Sequence, residues 1–324
     1  MKKKISIFSP CYNEEGNLND IYEQVTEIMK QLPEYDYEYV FIDNCSTDMS
    51  PEILRELATK DKRVKVIYNE KNFGPGRSGA YGFLQTVGDA SICLASDLQD
   101  PPEYIPQFVK EWEKGYKVVW GKKAGSKEGF FIRTARKLYY KIIKRFSESE
   151  EYEGATGYGL YDREVINLIR EVDDPIPNFR HLIADFGYKV RMIEYVKPER
   201  KAGKSSYNFF SYFSTAMESL VSTSKAPLRL ATLIGFFTAI LSFVVGMFYL
   251  VMKLVFWNSF SIGSAPLVIG FFFVGSVQLF FIGVLGEYVG AISTRVTKRP
   301  LVVVKERLNF DEHRADSNEM VNGE

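Results

Sequence analysis

Three short polar clusters carry the residue types from which a binding and transfer site can be built. The first is Ser9-Pro10-Cys11-Tyr12-Asn13-Glu14-Glu15. The second is Phe41-Ile42-Asp43-Asn44-Cys45-Ser46-Thr47-Asp48. The third is Ala95-Ser96-Asp97-Leu98-Gln99-Asp100-Pro101-Pro102-Glu103. A strand-end carboxylate can accept a hydrogen bond from the N–H of a uracil or guanine ring. Asp97 and Gln99 stand two apart on an extended loop and can present oxygens to one divalent cation. Mg²⁺ and Mn²⁺ prefer such oxygens together with substrate phosphates. Taken singly, each cluster reads as turn formers and helix caps. Three of them at successive strand ends point to one shared crevice.

The elements that must position them follow from periodicity. Lys4 to Ser9 reads as a strand, and Ile21, Val25, Ile28 and Met29 form a helical stripe. Tyr37 to Ile42 is a second strand. Ser50-Pro51-Glu52 opens a helix, with Ser50 as N-cap and Pro51 at the first helical position. Val64–Tyr68, Ala90–Ala95 and Lys117–Trp120 read as further strands, and Gly79–Val87 and Pro102–Lys114 as helices. This alternation predicts an α/β domain with a mostly parallel sheet covered by helices. Ligands of such sheets bind beyond the carboxyl ends of the strands, where all three clusters would converge.

Lysine and arginine total 41, as do aspartate and glutamate. The zero net charge argues against a nucleic-acid binder, which would carry a basic excess. Cys11, Cys45 and Cys93 have no CxxC or Cys/His cluster and read as free thiols in a reducing compartment. The apolar run after Met1-Lys2-Lys3-Lys4 is too short for a signal peptide. His181 and His313 lack metal-ligand spacing, and Trp112 and Trp120 read as packing residues.

The character of the chain changes after residue 228. Leu230–Met252 and Leu254–Gly286 carry no charge, and each holds the ~20 residues that a membrane helix needs. Lys225 and Arg229 precede the first span, and Arg295, Lys298, Arg299, Lys305 and Arg307 follow the second. By the positive-inside rule both ends face the cytoplasm. Lys122 to Arg145 holds nine basic residues against Glu128 alone, with Ile132, Ala135, Tyr139, Ile142, Ile143 and Phe146 at helical spacing. That pattern predicts an interfacial amphipathic helix attracted to anionic lipid headgroups. Phe209 to Val221 is a second apolar-rich segment that could lie along the interface.

The motif Pro10-x-Tyr12-Asn13-Glu14-Glu15, then Asp43 with Ser46 and Asp48, then Asp97-Leu98-Gln99-Asp100-Pro101-Pro102-Glu103, resembles glycosyltransferase family 2. More narrowly, the chain resembles the membrane-bound polyprenyl-phosphate glycosyltransferases, the bactoprenol and dolichyl-phosphate sugar synthases. The likeness continues through Asn72-Phe73-Gly74, Gly154 to Arg163, Arg200 to Tyr207, Gly286-Glu287-Tyr288-Val289-Gly290 and Lys298-Arg299-Pro300. It implies a GT-A-like, Rossmann-type nucleotide-sugar-binding domain, then interfacial helices and two C-terminal transmembrane helices. The expected boundaries are 1–205 for the catalytic domain, with the basic helix at about 128–146. A juxtamembrane helix would follow at 206–227, the two spans at 228–292, and a polar, disordered cytoplasmic tail within 293–324.

The resemblance implies inverting, metal-dependent transfer of one sugar to polyprenyl phosphate. The donor would be a UDP-sugar, although the residues themselves leave uracil and guanine open. Pro10, Tyr12, Glu14, Asp43 and Asn44 would bind the nucleotide, and Asp97 and Gln99 would hold Mg²⁺ or Mn²⁺. Asp97 and Asp100 are the catalytic candidates, and Lys123, Arg133, Arg200 and Lys204 the phosphate and acceptor contacts. Three positions depart from the family: Ala95 replaces the first carboxylate of Asp-x-Asp, Asn44 replaces a second Asp, and Gly157 stands where many relatives carry an Asp. They leave open an inactive relative that binds nucleotide sugars as a membrane scaffold. The expected partners are the donor, the lipid acceptor, membrane lipids and a separate flippase downstream. Gly270, Gly275, Gly283, Gly286 and Gly290 offer surfaces for a homo-oligomer.

Overall fold

Strands β1 (Lys4–Cys11) and β2 (Asp36–Asp43) are apolar runs buried on both faces, as the central strands of a helix-covered sheet must be. The computed structural model describes residues 2–124, 152, 155–172, 174–175, 177–196, 198, 226–256, 264–297 and 299–310. The chain forms two compact units: residues 1–128, 149–206 and 298–324 in one, 129–148 and 207–297 in the other.

The first unit is built on an eight-stranded sheet. Its other strands are β3 (Val64–Asn69), β4 (Ala90–Cys93), β5 (Val118–Lys123), β6 (Ala155–Asp162), β7 (Val190–Tyr195) and β8 (Val304–Leu308). The order is β7-β5-β6-β4-β1-β2-β3-β8. β4, β1, β2 and β3 run parallel, with Cys11 beside Asp43 and Phe8 beside Cys93. β6 and β8 are antiparallel to their neighbours, so the mostly parallel sheet is mixed, with six of its eight strands running the same way. Because β4 and β5 both oppose β6, β5 and its parallel neighbour β7 end at the same edge as β1 to β4.

Helix α1 (Leu18–Lys30) buries Leu18, Ile21, Tyr22, Val25 and Met29, a single stripe at helical spacing. Helix α4 (Ile105–Glu113) buries Ile105, Phe108, Val109 and Trp112 against the same face of the sheet, where Ile5, Ile7 and Phe41 point. Phe8, Val40, Ile42 and Ile67 point to the other face. There they meet α3 (Pro75–Leu84), α5 (Arg163–Val172) and α6 (Phe179–Asp185) through Phe83, Ile166 and Ile183. Each fully buried side chain of this size contributes about 1.5–3 kcal/mol. Gly82 lets α3 approach closely: a Cβ there would stand 2.6 Å from the Phe8 ring and 2.9 Å from Ile42.

Three differences from the sequence reading go beyond a shift of a few residues at a strand end. α3 begins at Pro75 rather than Gly79, because Pro75 and the positive φ of Gly74 start it. Helix α2 (Ser50–Lys60) has Met49 at its N-cap, and the Ser50 hydroxyl accepts a hydrogen bond from Glu14 N instead. The stretch expected to be a tail from 293 returns to the sheet as β8. Glu306 pairs there with Arg55, and Asn309 Nδ2 donates to the carbonyls of Ala58 (2.7 Å) and Val64 (2.8 Å). Residues 311–324 lie outside the described residues.

The second unit contains α7 (Ala226–Val255) and α8 (Ser264–Val296). Leu230–Phe248 and Phe273–Val296 are long and apolar enough to cross a membrane, with mean hydropathies of 2.2 and 1.5. Many of their large apolar side chains are exposed, Phe236, Leu241, Phe243, Phe271 and Leu279 among them. A pair of core helices in a soluble domain would bury these groups, whereas a bilayer is their matching solvent. The amphipathic segment expected at 128–146 and residues 206–225 of the expected juxtamembrane helix lie outside the described residues, and 226–227 open α7.

Candidate functional site

The parallel order β4-β1-β2 brings the three polar clusters to one edge of the sheet. Each of their loops contains a non-glycine residue with positive φ: Asn13 (56°), Cys45 (63°) and Leu98 (59°). Such backbones cost free energy and persist only where their surroundings hold them. The holding contacts are dense between the first two loops. Asn13 N donates to Ser46 Oγ (2.9 Å), and Thr47 N to Asn13 Oδ1 (2.8 Å). Glu14 N donates to Ser50 Oγ (2.9 Å), Glu15 N to Asp48 Oδ2 (3.1 Å) and Met49 N to Glu15 Oε2 (2.9 Å). Pro10 is tied to the third loop, its carbonyl accepting from Ser96 Oγ at 2.7 Å.

Within this frame Tyr12 is exposed, with its ring open to solvent. Glu14 is half-buried and accepts from Asn17 Nδ2 at 2.7 Å. Asp43 is buried at the end of β2 and accepts from the Ser46 amide (3.1 Å) and the Ser46 hydroxyl. Burial, with Asp48 adding to it, pushes the Asp43 carboxyl above the usual aspartate range despite the Ser46 hydrogen bonds. Burial also pushes up the neighbouring Cys11 thiol, so it stays protonated; Cys11, Cys45 and Cys93 are all free cysteines.

Asn44 faces inward. Its Oδ1 accepts from Asn69 Nδ2 (3.1 Å) and Phe73 N (3.0 Å), and its Nδ2 donates to Asn72 Oδ1 (2.9 Å). An amide at this position serves both donors and an acceptor, which a carboxylate could not.

The third loop turns at Leu98. Asp97 is largely buried, and its Oδ1 accepts from Gln99 N at 3.1 Å. Asp100 engages both oxygens within the protein: Oδ2 accepts from Ala95 N (3.0 Å) and Oδ1 from the Tyr195 hydroxyl (3.2 Å). No group of three His, Cys, Asp or Glu side chains among the described residues could hold a metal ion alone. Asp97 and Gln99 supply hard oxygens. That partial set fits an Mg²⁺ or Mn²⁺ that completes its shell with diphosphate oxygens and water.

Lys123 is exposed at the end of β5, on the same edge. Gly157 stands near the start of β6, also on this edge, and residues 155–160 add no carboxylate. Arg133, Arg200 and Lys204 lie outside the described residues. The structure thus brings Pro10, Tyr12, Glu14, Asp43, Asp97, Gln99 and Asp100 to one edge, with Asn44 behind them and Lys123 on β5. His181 lies on α6, and Trp112 and Trp120 are buried packing residues.

Ser46, Ser50, Ser96, Asn69 and Asn72 support the site in a way the sequence reading did not give. Ser46 and Asn72 stood in the family motif, Ser96 in the third polar cluster and Ser50 as a helix cap, but none was read as a cross-loop hydrogen-bond partner. Asn69 carried no signal of its own.

The family model described as Glycosyl transferase family 2 matches residues 6–169. The bactoprenol glucosyl transferase of Shigella phage SfX is 34% identical over 305 residues, covering 94% of this chain and 99% of that protein. An uncharacterized glycosyltransferase of Bacillus subtilis (strain 168), YkcC, is 32% identical over 310 residues, covering 95% of each. Among solved structures, the mannosyltransferase PcManGT of Pyrobaculum calidifontis in complex with GDP-Man and Mn²⁺ is 15% identical, with a TM-score of 0.47. That similarity covers 92% of this chain and 88% of the other.

Proposed function

The chain belongs to glycosyltransferase family 2, and from that premise we propose that it transfers one sugar from a nucleotide-sugar to polyprenyl phosphate. The observation that carries this reading is the end-to-end match to the bactoprenol glucosyl transferase, which includes the apolar helices as well as the sheet. The donor is read as a UDP-sugar. The site faces the cytoplasm, where basic residues flank both apolar helices.

Asp43 receives an N–H of the base, and Tyr12, Pro10 and Glu14 line the nucleoside. Asp97 and Gln99 would hold Mg²⁺ or Mn²⁺, which neutralises the charge that develops on the departing diphosphate. Asp100 and Asn44 position the loops rather than touch the donor. In the reaction a lipid phosphate oxygen forms a bond to the anomeric carbon. The bond from that carbon to the nucleoside diphosphate breaks, and the diphosphate leaves with the electron pair. One displacement inverts the configuration.

A lipid monophosphate, with a second pKa near 6, is already an anion at neutral pH. It needs no protein base, so Gly157 in place of a carboxylate is compatible with turnover. What it needs is orientation beside an anionic donor. Lys123, Arg133, Arg200 and Lys204 are assigned to that task. The product then requires a separate flippase, and the glycines of α8 favour self-association.

The test is a transfer assay on the purified, detergent-solubilised full chain with undecaprenyl phosphate, Mg²⁺ or Mn²⁺, and radiolabelled UDP- and GDP-sugars. Labelled, mild-acid-labile lipid from one donor is the expected result. Asp97→Ala should lower its formation by at least about two orders of magnitude, roughly 2.7 kcal/mol, while the protein stays folded. Nucleotide binding without lipid product would favour the scaffold reading suggested by Ala95. Near-normal activity in Asp97→Ala would remove the metal assignment.

A further inference from the structure

The segment that follows the second apolar helix reaches the loop between β3 and α3. Arg77 Nη2 donates to the Pro300 carbonyl at 2.6 Å, and Glu70 N donates to the Val303 carbonyl at 2.9 Å. These contacts bracket residues 70–77. Inside the loop the Arg77 guanidinium lies over the Phe73 ring, 5.5 Å from its centroid. Phe73 N donates to Asn44 Oδ1, and Asn44 Nδ2 to Asn72 Oδ1. Asn44 N in turn donates to the Cys11 carbonyl at 3.0 Å. A continuous series of contacts therefore runs from Pro300 to the end of β1, which carries Pro10 and leads into Tyr12.

Gly74, at φ +82°, is a backbone state that other residues rarely adopt, so the path of this loop is sharply constrained. Asn44 Oδ1 already accepts two hydrogen bonds. A displacement of Phe73 would strip one of them and shift Asn44, whose backbone pins β1.

We propose that Arg77 is a positioning residue for the nucleotide donor. The Pro300 carbonyl holds Arg77. Arg77, through Phe73 and Asn44, holds the ends of β1 and β2 in register to receive the nucleoside. The inference rests on the reading of Asp43 and Tyr12 as the nucleoside side of the site. Its consequence is that chain beyond the membrane helices belongs to the donor site.

The experiment uses the full chain in detergent and separates donor binding from turnover. Donor KM, acceptor KM and kcat are measured for the wild type, Arg77→Met and Arg77→Lys. The Kd of the nucleoside diphosphate is measured by calorimetry without acceptor. Arg77→Met should raise donor KM and nucleotide Kd about tenfold, the loss expected for one charge-assisted hydrogen bond. Acceptor KM and kcat should stay within about twofold. Arg77→Lys keeps a donor for the Pro300 carbonyl but loses the flat stack on Phe73, so its values should fall between. An unchanged nucleotide Kd, or a fall in kcat at constant donor KM, would overturn the proposal. Should Arg77→Met not fold, Phe73→Leu retains the amide that reaches Asn44 and removes the ring under the guanidinium. It should raise the nucleotide Kd about threefold, and an unchanged Kd would refute the inference. Calorimetry needs no lipid. A wild type that binds nucleotide but makes no sugar-lipid would therefore overturn the acceptor reading and still leave Arg77 decided.

Discussion

Strand β2 buries a carboxylate near each end, and their pKa values are shifted in opposite directions. Glu38 and Asp43 are each 2% exposed, so burial alone does not separate them. Burial raises the pKa of Glu38, but Lys65 Nζ at 2.8 Å, Ser6 Oγ at 2.6 Å and Val87 N at 2.9 Å together outweigh it. Glu38 accordingly sits below the usual glutamate range. Asp43 has the two hydrogen bonds from Ser46 but, among the groups acting most strongly on it, no cation, and Asp48 repels it further. Its pKa lies above the usual range. The difference teaches how one strand serves two purposes. At the amino end the charge is compensated inside the protein and fixes the scaffold. At the carboxyl end it is left short of compensation, which suits a group that takes its last partner from a ligand.

The largest expected effect breaks the compensated end. Lys65→Met leaves Glu38 buried without its cation and should cost about 3–5 kcal/mol of stability. The pH dependence has a defined sign. The folded pKa of Glu38 is depressed, so its contribution is fully present above about 4.5, its unfolded value, and is lost as pH falls through the folded pKa. The deficit of Lys65→Met should therefore shrink in acid. Chemical denaturation at pH 7 and pH 4 measures both. Nucleotide Kd should not change in the folded variant. A variant as stable as wild type would end the contrast between the two carboxylates.

Asp43→Asn tests the other end and should separate function from stability. Loss of the charged acceptor should weaken nucleotide binding by about thirtyfold, roughly 2 kcal/mol. Stability should respond in the opposite sense to Lys65→Met. The folded pKa of Asp43 is raised, so the native state holds its proton longer than the unfolded chain does. Wild-type stability contributed by this group therefore falls as pH rises from about 4 through the folded pKa. The uncharged amide of the variant carries no such penalty. The melting temperature of the variant relative to wild type should be more favourable at pH 7 than at pH 4. A difference that moves the other way would show that Asp43 is compensated after all.

The contrast also marks what the sequence disclosed. Asp43 could be singled out because its cluster is one of three at strand ends and because Asp43 with Ser46 and Asp48 matches the family motif. The strand alternation placed β1 to β4 and the crevice at their ends. β6, β7 and β8 were not read as strands at all. β6 carries Gly157 and Gly159, which interrupt a strand pattern, and β8 pairs with β3, more than 200 residues earlier and beyond any local signal. Asn44 and Asp100 read as site residues through the family resemblance. Their partners Phe73, Asn69, Ala95 and Tyr195 come from loops or strands whose approach no spacing encodes. Asn72-Phe73-Gly74 was legible as a motif, but its link to Asn44 and to Pro300 required the tertiary arrangement.

The smallest expected effect asks whether burial or ion pairing sets the scale. Glu306 on β8 is paired with Arg55 in a two-pronged contact, 2.8 and 2.7 Å. The Arg55 hydrogen bond holds its carboxyl below the usual range, the same direction as in Glu38. The geometry is at least as good as that of Glu38 with Lys65, but the side chains are 50% and 38% exposed. Water already solvates these charges, so little is lost when one is removed. Arg55→Met should therefore cost no more than about 1 kcal/mol at low salt. That cost should vanish near 1 M salt, where the Debye length is ~3 Å, whereas the deficit of Lys65→Met should persist. Denaturation at two ionic strengths decides between them. A loss in Arg55→Met that matched Lys65→Met and survived salt would mean that pairing itself, rather than burial, sets the energetic weight of carboxylates in this sheet.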